Sequence, residues 1–144
     1  MEHEEKNLLV KDICARLPHG VIALTEKGKG HICNVNLTMF GAEIGINVNP
    51  TVRDTFSIND IKPYLFPLSS LTEEQRNDIS KLLIDTQKEF PPYGELNIKG
   101  CDNLFICTVK QANIFVNYCL TYHLDINCLI EKGLALDATG LNIY

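Results

Sequence analysis

Two lysines alternate with two glycines in the segment TEKGKGH, a pattern that could present positive charge to an anion. Lys27 and Lys29 surround Gly28 and precede Gly30, and His31 follows directly. A glycine-bearing turn can point backbone N–H groups at a phosphate, and two ammonium groups would neutralise its charge. The segment lacks both the Gly-x-x-x-x-Gly-Lys-Ser/Thr pattern of a phosphate loop and the spaced glycines of a dinucleotide fold. A solvated hairpin is therefore the competing interpretation.

A further cation, Arg53, lies in the turn-like segment NPTVRD and could contribute to the same positive site. We therefore predict a site for a small anionic ligand that consists of Lys27, Gly28, Lys29, Gly30, His31 and Arg53.

The neighbouring residues His31 and Cys33 indicate a second chemistry, because a strand would place both side chains on one face. A base beside a thiol is the arrangement that nucleophilic catalysis by cysteine uses. No third residue that would orient the histidine can be assigned, and no Gly-x-Ser-x-Gly or cysteine-protease signature occurs. A thiol enzyme is the weaker alternative.

Four residues in the second half could bind zinc, in the order Cys-x5-Cys-x11-Cys-x3-His: Cys101, Cys107, Cys119 and His123. On a helix, Cys119 and His123 would share one face, at positions i and i+4. Structural zinc sites usually take paired cysteines two to four residues apart, and buried free cysteine is common. The spacing therefore favours core cysteines over a metal site, and no cofactor is predicted.

Length and composition predict one domain that spans residues 1–144. Hydrophobic residues make up 45% and charged residues 22%, which is ordinary globular usage. The first residues, MEHEEKNLLV, do not resemble a signal peptide, and no apolar run is long enough for a membrane span. We expect a soluble cytoplasmic protein whose six cysteines are free thiols.

The net charge of −5 weighs against nucleic acid as a partner. Binding to a phosphate backbone depends on clustered lysine and arginine, and the chain has three arginines. Local basic patches remain compatible with this composition. A small barrel that binds nucleic acid is kept as an alternative.

The first half of the chain predicts a helix followed by strands. Val10, Ile13 and Leu17 have helical spacing, and Pro18 ends that pattern. Strands are predicted at 21–25 and, from the alternation of apolar and polar residues, within 34–49. Phe56 and Ile58 indicate a fourth. The apolar run between Pro63 and Pro67 is predicted to be a buried connector.

The second half predicts helices and a docked final segment. Thr72 with Gln75, or Ser70 with Glu73, would cap one helix, and Thr108 with Gln111 would cap another. Asp125 would cap a last short helix that ends at Gly133. The residues after Gly133 supply further apolar side chains, namely Leu134, Leu136, Leu141 and Ile143, and we expect them to lie across the domain.

Together these elements predict an α+β fold. A small antiparallel sheet of three to five strands, open or curled toward a barrel, would carry an N-terminal helix and C-terminal helices packed on one face.

Three segments, LVKDICARLPHGVI, INDIKPYLFPLSSLTEEQ and LIEKGLALDATGLNIY, resemble a family of small uncharacterised proteins encoded by gut anaerobic bacteria and their phages and prophages. These segments have no known catalytic or binding role, so no residue role follows from the resemblance. It implies an origin in a mobile element, and with it a role between phage and host. It also suggests that the shared segments form the scaffold and that the intervening loops recognise a ligand.

We therefore predict a non-enzymatic binding or interaction protein, monomeric or homo-oligomeric. It would hold a small anionic, nucleotide-like host signal, or block a host protein. The alternatives are the nucleic-acid-binding barrel and a Cys/His-dependent or metal enzyme.

Overall fold

The computed structural model describes residues 1–39, 41–49, 51–87 and 109–144, with only the backbone for 84–87. The helices in these ranges are α1 (His3–Arg16), α2 (Glu73–Gln87) and α3 (Val109–Thr121). The strands are β1 (Ile22–Thr25), β2 (Gly28–Thr38), β3 (Gly41–Asn49), β4 (Val52–Ser57), β5 (Lys62–Leu65) and β6 (Leu136–Asp137). The α+β class predicted from the sequence is confirmed. No helix in these ranges is long and apolar enough to cross a membrane.

The strands form one open sheet in the order β4-β3-β2-β1-β5-β6. All neighbours are antiparallel except β5 and β6, which are parallel. The sheet is therefore mixed, has six strands in the described chain and does not close into a barrel. The expectation of three to five antiparallel strands missed β5 and β6.

The predicted connector at Pro63 is strand β5. It pairs with β1 through Ala23↔Pro63 and Leu24↔Lys62, and with β6 through Tyr64↔Leu136. Neighbours cover both of its faces, so it reads as a continuous apolar run without alternation. Pro63, which has no N–H group, does not pair with β6, because that pairing involves only Tyr64 and Leu65 of β5.

The helix α1 packs on one face of the sheet, which we call the inner face. Leu9 and Ile13 are fully buried there against Ile44 and Ile46 of β3. The helix begins at His3, well before the periodic residues that predicted it, and Glu2 N–H donates to the Glu5 carboxylate at 3.0 Å. After Arg16 the chain turns through a short 3-10 segment that ends at Gly20, whose φ is +74°.

The helices α2 and α3 pack on each other over the segment that follows β5. Leu68, Ile79 and Phe115 belong to this second apolar cluster. The capping box predicted for α2 is confirmed, since Thr72 N–H donates to Gln75 Oε1 and Gln75 N–H donates to Thr72 Oγ1. Thr108 lies outside the described residues. Gln111 is buried and donates from Nε2 to the Leu83 carbonyl oxygen.

The predicted last helix after Asp125 is wrong, because residues 126–132 form successive turns. The Asp125 carboxylate does accept from the N–H groups of Leu129 and Ile130, at 2.9 and 2.8 Å, as a capping residue would. Cys128 has a φ of +54° within this stretch, which a regular helix cannot accommodate. The left-handed Gly133, at φ +71°, is as predicted.

The residues after Gly133 dock on the domain, as the sequence predicted. Leu134 and Ala138 are buried, and Leu136 forms part of β6. Ile143 packs with Ile22 on the face of the sheet opposite α1, which we call the outer face. Leu141, expected to dock, is 47% exposed.

Candidate functional site

The TEKGKGH segment forms the β1–β2 hairpin, and its glycines have structural causes. Gly28 has a φ of +111°, which favours glycine. Thr25 Oγ1 accepts from Lys27 N–H at 3.1 Å and donates to the Gly28 carbonyl at 2.8 Å, so this N–H group is satisfied within the turn. A Cβ on Gly30 would come within 2.6 Å of the Asn47 carbonyl oxygen. The glycine pattern is thus explained without a ligand.

The predicted cations divide between the two faces of the sheet. Lys27 Nζ lies 3.4 Å from Asp54 Oδ2 and 5.8 Å from the ring centroid of Phe56, which belongs to the inner-face core. Lys29 Nζ lies 5.7 Å from the ring centroid of Tyr64, which packs in the outer-face cluster. Lys27 and Lys29 therefore do not converge on one site.

Three polar residues form a row across the outer face. His31 of β2 pairs in register with Asn47 of β3, which pairs with Arg53 of β4. Directly opposed residues in neighbouring strands point to the same face, so His31 and Arg53 flank Asn47. Arg53 Nε lies 3.1 Å from the point where a Cβ of Gly45 would be, so glycine leaves room for the guanidinium.

A pocket of about 460 Å³ lies at the β1 end of this row, between the sheet and residues 142–143. It contains two basic side chains, three asparagines and an apolar wall, contributed by Ile22, Lys29, Gly30, His31, Asn47, Val48, Asn49, Asn142 and Ile143. We call it the outer-face pocket. Of the predicted site residues it takes in Lys29, Gly30 and His31, with Arg53 one strand beyond Asn47. Lys27 and Gly28 are not part of it.

Sequence reasoning missed the asparagines and Ile143. The alternation of Asn47 and Asn49 with apolar residues in β3 was read only as a solvated face. Asn142 and Ile143 are distant in sequence, and only the docking of their segment brings them to β2. That segment was expected to be pure scaffold, yet it lines the pocket as well.

A larger cavity of about 660 Å³ lies between α1 and the β2–β3 hairpin. Its lining includes Lys6 and Glu43, which have opposite charges, together with the exposed Leu37 and Met39. Because charges of both signs line this cavity, it is less suited to a small anion than the outer-face pocket is.

The cysteine chemistry considered from the sequence does not assemble in the described chain. A bulge interrupts β2 between Ile32 and Asn34, and Cys33 Sγ donates to the Gly45 carbonyl at 3.1 Å. Cys119 is fully buried in the α2–α3 cluster, while His123 lies beyond the end of α3 with a φ of +56°. The expected i, i+4 helical pair is therefore wrong.

No group of three His, Cys, Asp or Glu side chains within the described ranges could hold a metal ion. Cys101 and Cys107 lie outside those ranges.

His123 instead belongs to a buried polar cluster beside the final residues. Its ring stacks on Tyr144, with centroids 3.8 Å apart and planes 9° apart. Burial, and then the neighbouring Arg16 and His19, lower the pKa of His123 to about 4. The Tyr144 hydroxyl donates to the Tyr64 carbonyl at 2.6 Å, and desolvation of the hydroxyl raises the pKa of Tyr144 to about 12 although the residue as a whole is 43% exposed.

The lowered pKa of His123 predicts a loss of stability in acid. Because the folded-state pKa of about 4 lies below the unfolded value of 6.5, the contribution is complete above pH 6.5 and is lost as the pH falls toward 4. The loss would reach about 3 kcal/mol of the free energy of unfolding. The measurement is urea unfolding at several pH values on wild type and His123→Asn, since asparagine tolerates the left-handed backbone. Parallel pH profiles for the two proteins would contradict this assignment.

Comparisons of the chain with protein-family models, curated proteins and solved structures give no match. The resemblance to the phage and prophage family therefore stays a prediction.

Proposed function

We propose that this chain is a non-enzymatic binding protein that holds a small anionic, nucleotide-like ligand in the outer-face pocket. The observation that carries the proposal is the meeting of Lys29 and His31 with an amide-rich, partly apolar wall in one cavity of about 460 Å³. That volume is within the range of about 300–1,000 Å³ that is typical of small-molecule sites.

Each part of the lining suits a different part of such a ligand. Lys29 presents a flexible point charge for a phosphate, and His31 can add a hydrogen bond. The asparagine amides at 47 and 142 offer donors and acceptors that match the edge of a heterocycle. Asn49 offers its amide donors, because its Oδ1 already accepts from Thr51. Ile22 and Ile143 provide apolar contact for its flat faces, whereas the side chain of Val48 packs against the inner-face core.

The surroundings of Cys33, which follows His31 by two residues in β2, favour a binding role over catalysis. Cys33 Sγ donates to the Gly45 carbonyl, and no hydrogen bond joins it to His31 or to another base among the described residues. The resemblance to phage and prophage proteins adds a biological setting, in which the chain would sequester a host nucleotide signal. Blocking a host protein, instead of sequestering a nucleotide, is the other form that this binding role could take.

Lys27 and Lys29 lie on opposite faces of the sheet, so the variant of one can serve as the control for the variant of the other. We expect Lys29→Ala and His31→Ala each to weaken ADP binding about 10- to 100-fold, because a hydrogen bond to a charged group contributes about 1.5–3 kcal/mol. Lys27→Ala removes the same charge from the other face and is expected to bind ADP as wild type does. Isothermal titration with ADP, adenosine and inorganic phosphate would measure these affinities and separate the contributions of base and phosphate.

Native mass spectrometry of the purified protein completes the test, because a bound ligand should be recovered intact after denaturation. Equal weakening by Lys27→Ala and Lys29→Ala would contradict the proposed site, and turnover of the ligand would contradict the non-enzymatic role. Binding to an oligonucleotide with a steep salt dependence would favour the nucleic-acid alternative instead.

A further inference from the structure

The residues after β6, 138–144, form a segment that is anchored at both ends, which we call the strap. At its start Ala138 is fully buried, and its N–H donates to the Leu65 carbonyl at 2.8 Å. Between the anchors, Thr139, Gly140, Leu141 and Asn142 are exposed. Gly140 has a φ of +74°, so the chain reverses there through a conformation that favours glycine.

Tyr144 is the second anchor, and its hydroxyl lies between β1 and β5. It donates to the Tyr64 carbonyl at 2.6 Å and accepts from Ile22 N–H at 3.3 Å. The register of the two strands ends at Ala23↔Pro63, and Ile22 and Tyr64 would form the next pair. The hydroxyl thus bridges a donor and an acceptor that strand pairing does not join.

The rings around Tyr144 hold it from the side. His123 stacks on it, and Phe66 lies 5.9 Å away between ring centroids, at a tilt of 51°. These contacts involve only the last residue of the strap. The preceding two residues, Asn142 and Ile143, are the ones that line the outer-face pocket. The position of this pocket wall therefore depends on the Tyr144 anchor and on the packing of Ile143 with Ile22.

We propose that the strap is a movable wall of the outer-face pocket, latched by Tyr144, and that ligand binding and latching stabilise each other. The coupling rests on the proposed function, whereas the latch itself does not. A ligand that contacts Asn142 and Ile143 binds more tightly to the latched state, and by linkage it must then favour that state. The exposed middle of the strap allows it to open without unfolding the sheet.

The latch is tested first without a ligand, by hydrogen exchange at the Ile143 amide, which donates to the Leu141 carbonyl within the strap. Tyr144→Phe keeps the ring and removes the hydroxyl, and we expect exchange at least about tenfold faster at Ile143. Tyr144→Ala also removes the stacking and should have a larger effect. The Ala138 amide, at the other anchor, should change less than threefold, roughly the scatter expected without local opening. Tyr122→Phe is the control variant, because Tyr122 lies just beyond α3 with its ring on Tyr118.

The coupling is tested with ADP as the probe. We expect Tyr144→Phe to weaken ADP binding at least about fivefold relative to Tyr122→Phe, and ADP to slow exchange at Ile143 in wild type. Unchanged exchange at Ile143 in both Tyr144 variants would overturn the latch. Faster exchange with unchanged ADP affinity would overturn the coupling. If wild type binds no ADP, the proposed ligand class and the coupling both fail, while the exchange result still decides the latch.

Discussion

Replacement of Asp12 by alanine is expected to lower the free energy of unfolding by about 3–5 kcal/mol, because it leaves the charge of Arg16 buried without its carboxylate partner. Both side chains are fully buried. Arg16 donates from Nε to Asp12 Oδ2 at 2.6 Å and from Nη2 to the Leu124 carbonyl at 2.8 Å. Asn127 adds a hydrogen bond to Asp12 at 2.8 Å. The pair therefore joins α1 to the turn segment that follows α3.

The network contains one unsatisfied group, which sharpens the test. Arg16 Nη1 is buried and has no hydrogen-bond partner among the described residues. An ion pair with an unsatisfied donor does not fully offset the free energy that its desolvation costs. Its replacement by apolar side chains is therefore expected to be neutral or stabilising. The double variant Asp12→Leu with Arg16→Met should consequently recover most of the stability that Asp12→Ala loses.

Urea unfolding of the single and double variants measures both effects. Lys27→Ala is the matched control, since its ion pair with Asp54 is partly exposed, and we expect a change of about 0–1 kcal/mol. A loss below about 1 kcal/mol for Asp12→Ala would mean that the carboxylate does not balance a buried charge. A double variant less stable than Asp12→Ala would show that the pair contributes more than its apolar replacement.

Removal of residues 134–144 is expected to have an effect of at least the same size. The segment buries Leu134 and Ala138 almost completely, and its loss would expose Leu65, which is now fully buried. A buried leucine contributes about 1.5–3 kcal/mol and a buried methyl group about 0.8 kcal/mol, so the two leucines and the alanine together account for about 5 kcal/mol. Deletion of β6 also leaves β5 as an open sheet edge, which favours aggregation.

The truncated chain should be insoluble, or should melt about 10–20 °C below the full chain at about 2–4 °C per kcal/mol. Differential scanning calorimetry of the soluble fraction measures this. Leu141→Ala serves as the control, because that side chain is 47% exposed and its loss should change the free energy of unfolding by less than about 0.5 kcal/mol. An unchanged melting temperature after truncation would contradict the docking of this segment.

Several elements could be predicted because their signals are local. Helical spacing and Pro18 indicated α1 and its end, and the Thr72–Gln75 pair indicated the start of α2. Alternation indicated the strands within 34–49, but it did not reveal the bulge between Ile32 and Asn34 that shifts the register of β2 with β3. The error at β5 has an equally plain cause. The sequence of a strand that is covered on both faces does not alternate between apolar and polar residues, and the prolines at both ends of the segment are typical of a connector.

The candidate site could be predicted only in part, because only its local spacing can be read from the sequence. A period of two places Lys29 and His31 on one face of β2, and the sequence contains that information. The sequence does not show to which face of the sheet Lys27 turns. That face depends on the ion pair of Lys27 with Asp54 of β4, which lies two strands from β2 in the sheet.

Local patterns in the chain are thus sufficient for the α+β class, the hairpin and the pairing of Lys29 with His31, because backbone geometry and neighbouring residues govern them. Long-range packing was required to separate Lys27 from Lys29, to bring Asn142 and Ile143 against β2, and to bury Arg16 with Asp12 beneath Leu124. Such contacts join Arg16 to Leu124, 108 positions away, and Asp12 to Asn127, 115 positions away. Their formation depends on how the apolar faces of the whole domain bury one another, and no short stretch of sequence encodes that outcome.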